Sequence, residues 1–163
     1  MNKDIVPENF TMGLALFDAV PVILFGVATF LLWQNIGGLF LLLGALVCFV
    51  SGMLKVLWKV IVVLRHKNVW PLFLQMRIGM PVGFVLLIIG FIVAGITGRL
   101  SAFVSGLLHP LPLLFMFITI TGMTGMIICG SKLDSSDVKA NWIEQTCNTI
   151  AQASFLLMTI LAL

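Results

Sequence analysis

Four carboxamides recur along the C-terminal stretch: Asn141, Gln145, Asn148 and Gln152 stand at i, i+4, i+7 and i+11. That spacing lays them along one face of a helix. Glu144 sits beside them, one turn before Asn148. Asp18 lies in the first apolar stretch, three residues before Pro21, and Lys55 and Lys59 stand one turn apart in the second. In water these residues would form ordinary solvated faces. In hydrocarbon every amide needs protein or trapped water around it, and every charge needs a partner. The chemistry open to these residue types is therefore recognition. Amides exchange hydrogen bonds with a polar solute, while carboxylate and ammonium groups supply charge complementarity or carry a proton.

Composition makes hydrocarbon the relevant medium. The 163 residues are 61% hydrophobic and 9% charged, with a mean hydropathy of +1.19. Soluble domains carry about 25% charged residues, so a soluble fold is excluded. A spanning helix takes roughly 20 apolar residues. The apolar runs predict spans over 10–33, 38–64, 72–98, 110–130 and 138–163. The expected fold is an all-α integral membrane protein, a compact bundle of five transmembrane helices in a single domain. The first run is too long for a signal peptide and has no small-residue cleavage pattern, so it is expected to stay as the first span.

The elements that must hold the polar groups carry their own signals. Pro21 removes a backbone donor and predicts a kink beside Asp18. Gln34 to Gly38 reads as a tight connection. Gly44, Cys48, Ser51, Lys55 and Lys59 share one face of the second span, which turns from small to cationic along its length. Gly79, Gly83, Gly90, Ala94 and Gly98 form a stripe in the third, and such small residues let helices approach closely. Pro71 suits the first residue of that span, and Pro81 is expected to turn the chain inward from the interface. Residues 100–109 are too short to span and are expected as an interfacial helix or as the bent opening of the fourth span. Asp134, Ser135 and Ser136 are good N-caps for the last helix, with Asp137 in its first turn.

Charge sets the expected orientation. With five spans, Lys3, Arg65, Lys67, Arg77, Lys132 and Lys139 fall on one side and Arg99 on the other. The positive-inside rule then puts the N-terminus in and the C-terminus out, in a bacterial cytoplasmic (inner) membrane. This asymmetry argues against an antiparallel dimer. Asp18 lies 15 residues from Trp33, or about 22 Å deep, and Lys55 lies 17 residues from Gly38, or about 25 Å deep. Asp18, Ser51, Lys55, Glu144, Gln145, Asn148 and Gln152 are thus expected to share one layer as a ligand-binding set. Lys55 is the expected partner of Asp18, while Lys59 is expected to snorkel to the headgroups. Glu144 is read either as a partner of Arg77 or Lys139 or as a cavity carboxylate. Trp58, Trp70 and Trp142 are expected in an aromatic belt, His66 in a loop and His109 at the external face.

The function expected is binding or transport of a small polar or amphiphilic solute in a cytoplasm-facing polar cavity between the first, second and fifth spans. The alternatives are a membrane-embedded enzyme acting on a lipid-like substrate, and an accessory subunit whose polar stripe docks on a larger complex. HExxH, GxSxG, P-loop and dinucleotide motifs are absent, so no catalytic residue and no cofactor is expected. Cys48, Cys129 and Cys147 show no CxxC or Cys/His cluster, so no metal is expected. The expected partners are the lipid bilayer, the small-molecule solute, and a parallel homo-oligomer or a larger membrane protein. Nucleic acid is not among them, because the few Lys and Arg cluster at the ends of apolar runs.

Overall fold

Hydrocarbon offers backbone groups no partner, so a spanning segment must pair them internally. The computed structural model describes residues 11–132 and 138–163, and every regular element in them is a helix. They are α1 (Met12–Phe17), α2 (Ala19–Ile36), α3 (Leu39–Arg65), α4 (Trp70–Ile96), α5 (Ser101–Leu107), α6 (Pro110–Lys132) and α7 (Val138–Ala162). Four stretches are long and apolar enough to cross a membrane: Met12–Ile36, Leu39–Arg65, Trp70–Ile96 and Pro110–Cys129. The protein is therefore an all-helical membrane protein. The expected caps Asp134, Ser135 and Ser136, and Asp137, lie outside the described residues.

The first stretch opens with a cap, Thr11 Oγ1 accepting from the Leu14 amide at 3.2 Å. It breaks once, at Asp18, between α1 and α2. Pro21 has no N–H to offer the carbonyl of Phe17, so the helix loosens one residue beyond that carbonyl. The turn into α3 rests on Gly37 and Gly38, with φ of 73° and 104°. A side chain is strained at such angles and glycine is not.

The small-residue stripes meet. A Cβ added at Gly44 of α3 would stand 2.7 Å from the Leu87 amide nitrogen of α4, and one added at Gly90 would stand 2.8 Å from the Leu41 nitrogen. The two backbones are as close as the absence of side chains allows. Pro81 does not turn the chain: α4 runs unbroken through it from Trp70 to Ile96. Residues 100–109 form the separate helix α5, whose Gly106 rests against the backbone of Ala162 at the end of α7.

Neighbouring helices run in the order α4, α3, α2, α7, α6, while α4 and α6 at the two ends make almost no contact with each other. α7 is amphipathic in the sense opposite to a soluble helix. Its outward residues include Trp142, Ile143, Ile150, Leu157 and Ile160, while Asn141, Gln145, Gln152, Ser154 and Thr159 are buried among its neighbours. Trp58, expected in the belt, is 2% exposed and donates its indole N–H to Asn68 Oδ1 at 3.0 Å. Its ring packs on Phe73 inside the fold. Trp142 keeps an outward face and lies on Phe17, ring centroids 5.3 Å apart.

Candidate functional site

Asp18 is the residue at which the first stretch breaks, and it points inward. Its Oδ2 lies 3.0 Å from Lys59 Nζ, and both side chains are almost wholly buried. Lys59 Nζ also reaches Asn141 Oδ1 of α7 at 3.4 Å. The expected Asp18–Lys55 pair is thus replaced by Asp18–Lys59, and Lys59 does not snorkel. Counted from the Gly37–Gly38 turn, Asp18 is 19 residues away, Lys55 is 17 and Lys59 is 21, so rise alone favours neither lysine. Side-chain direction decides. Helix side chains lean toward their own N-terminus. In antiparallel neighbours Asp18 therefore leans away from the turn and Lys59 leans back toward it, so the two converge. Lys55 leans away from Asp18.

Lys55 turns instead to α7, where its Nζ lies 4.0 Å from Glu144 Oε1, and both side chains keep about a quarter of their exposure. Glu144 is thereby a cavity carboxylate and pairs with neither Arg77 nor Lys139. Arg77 lies over the Phe73 ring, 5.2 Å from its centroid. α3 and α7 thus meet through long charged and polar side chains rather than through close backbone approach.

These groups face a cavity of about 270 Å³. Of the expected binding set, Asp18, Lys55, Glu144, Gln145, Asn148 and Gln152 line it. Ser51 does not. It is buried between α3 and α4, against Gly79, and its carbonyl accepts from Gln75 Nε2 at 3.1 Å. The cavity was expected between the first, second and fifth spans, but α4 and α6 also contribute walls. Met76, Met80 and Phe84 come from α4, and Met123 and Met126 from α6. Methionine is flexible and polarizable, which suits an adaptable binding wall. The spacing Met76/Met80 and Met123/Met126 puts each pair on one helix face. That was the available signal, and packing explained it equally well.

The amides are unevenly satisfied. Gln152 Nε2 donates to Asn148 Oδ1 and meets Met123 Sδ, both at 3.3 Å. Gln145 is 1% exposed, yet its Oε1 has no hydrogen-bond partner among the described residues. A buried acceptor left unpaired costs about 1–3 kcal/mol, and this oxygen is covered by neighbouring protein atoms. The charges that line the cavity are paired, Asp18 with Lys59, which does not itself line it, and Lys55 with Glu144.

A second cavity of about 240 Å³ adjoins the first. Phe25, Phe84, Met123 and Gln152 line both. Beyond them the second is walled by Leu32, Leu41, Leu87, Ile88, Phe91 and Phe155, with Thr29 and Thr119. Thr29 and Thr119 spend their hydroxyls on backbone carbonyls one turn back, at 2.8 Å each. Apart from Gln152 at the junction, this cavity offers only apolar surface.

No group of three or more His, Cys, Asp or Glu side chains is placed to hold a metal among the described residues. Comparison of the chain with family models, curated proteins and solved structures found no match.

Proposed function

We propose that the chain is a solute-binding membrane protein whose polar cavity receives the polar part of a small amphiphile from the cytoplasmic side. α7 acts as the fifth span in this reading, since its polar residues face the bundle and its apolar residues face out. The N-terminus lies inside, following the bias of Arg65, Lys67, Arg77 and Lys139 against Arg99. The observation that carries the reading is the meeting of Lys55, Glu144, Gln145, Asn148 and Gln152 on one cavity wall, with a buried acceptor unpaired. The Asp18–Lys59 pair is the fixed post of the site, and the looser Lys55–Glu144 pair is the part that can open to a ligand. The break at Asp18 beside this site has the form of the discontinuous helices that transporters use.

A polar stripe that docks on a partner protein would have to face outward, and this one is buried within the chain's own bundle. The test is what the protein carries out of the membrane. The full chain is extracted in polymer nanodiscs and its bound small molecules are profiled by mass spectrometry. A near-stoichiometric compound is expected with the native chain and lost in Lys55→Gln and Gln152→Leu, both retaining full helicity. Identical profiles in all three would overturn the proposal.

A further inference from the structure

The apolar cavity lies beyond the polar one, toward the Gly37–Gly38 end of the bundle. From Lys55 to Leu41 along α3 is 14 residues, or about 21 Å at 1.5 Å per residue. Half of the hydrocarbon core is roughly 15 Å. The two cavities together thus form a slot that starts at a polar layer and crosses the midplane. Its seam is the gap between α4 and α6, which both line the slot and barely touch. Ile92 of α4 and Phe117 and Ile120 of α6 are exposed. A molecule entering there comes from lipid, not from water.

We infer that the occupant is a bilayer amphiphile with no net charge, a hydrogen-bond donor in its head and one long apolar chain, loaded sideways between α4 and α6. This rests on the solute-binding reading and names the chemistry of its ligand. Net neutrality follows from the pairing of every charge that lines the cavity. Asp18 and Lys59 cancel, as do Lys55 and Glu144, so a net-charged head would leave an uncompensated charge at hydrocarbon depth. The donor follows from the amide oxygens of Asn148 and Gln152, which line the cavity and can each accept. The single chain follows from the apolar cavity that adjoins the first across Phe25 and Phe84, side chains that line both. Four methionines around the head let the wall adapt to its shape.

The test uses the full chain in lipid nanodiscs and palmitoyl glycerol bearing a photoreactive diazirine in its chain. Adducts are expected on Leu87, Phe91 and Thr119, and they should vanish in Thr119→Trp, which fills the slot. Unlabelled palmitoyl glycerol or geranylgeraniol should compete at least tenfold better than palmitate or hexadecyltrimethylammonium. The better of the two neutral competitors identifies the chain as acyl or isoprenoid. Adducts confined to lipid-facing Ile92 and Phe117, untouched by Thr119→Trp, would overturn the slot. Equal competition by the ions would overturn the neutral head. Lys55→Gln and Gln152→Leu separate the two levels. Slot adducts that ignore both variants remove the head from the polar cavity and sink the underlying reading with it. Absent adducts alongside a bound solute that both variants lose would leave that reading standing and overturn the chain slot alone.

Discussion

Lys59 Nζ stands 3.0 Å from Asp18 Oδ2, joining α3 to the break in the first span, with both side chains almost fully buried. Asn141 Oδ1, at 3.4 Å from the same ammonium, brings in α7. Three segments far apart in sequence are tied at one point. In hydrocarbon neither charge has water to fall back on, so each depends on the other.

Removing one member of this pair should be severe, and removing both should be milder. A buried ion pair broken on one side costs about 3–5 kcal/mol, whereas replacing both partners by apolar residues is often near neutral. Lys59→Met and Asp18→Leu are each expected to lower the unfolding midpoint in detergent sharply. The double variant should recover most of the loss. Additive losses in the double variant would count against the pairing as the source of the effect.

The Lys55–Glu144 pair should behave differently. It is longer, at 4.0 Å, and partly exposed. Such pairs contribute about 0–1 kcal/mol. Glu144→Gln is expected to leave the unfolding midpoint nearly unchanged while weakening retention of the bound amphiphile. Calorimetry and ligand profiling on one preparation check both halves.

Gln145→Met should make the empty protein more stable. It removes an acceptor buried without a partner, worth about 1–3 kcal/mol, and keeps much of the side-chain volume. The variant is expected to melt later than the native chain, as differential scanning calorimetry would show. A drop in stability would show that Gln145 is already satisfied.

Glycine substitutions should divide by position. A Cβ at Gly44 would meet the backbone of Leu87 at 2.7 Å, while one at Gly95 meets nothing within 4 Å. Gly44→Ala is expected to push α3 from α4 and cost about 1–3 kcal/mol. Gly95→Ala should be neutral or stabilising by up to about 1 kcal/mol, since alanine favours the helix. Melting curves of the two variants make the comparison.

How much was legible beforehand differs by feature. The amide face of α7 could be read because helical spacing is periodic, and the structure turns Asn141, Gln145 and Gln152 inward as that spacing implies. The small-residue stripes of α3 and α4 were legible for the same reason. Pro81 misled, because a proline inside a long apolar helix removes one hydrogen bond without obliging the chain to turn. Trp58 misled because depth along a helix does not say which way a side chain faces.

Composition and spacing alone thus determined that the chain is a helical membrane protein with a polar face turned inward, since apolar runs of roughly 20 residues span as helices and hydrocarbon shelters no bare amide. Tertiary structure alone decided which lysine meets Asp18, because the lean of side chains in antiparallel helices, and not their depth, sets the pairing. It also decided that Ser51 leaves the site, that α4 and α6 supply the methionine wall, and that an apolar cavity adjoins the one lined by Asp18 and Gln152. These depend on how five helices curl around a shared space, and no local pattern in the sequence encodes that curvature.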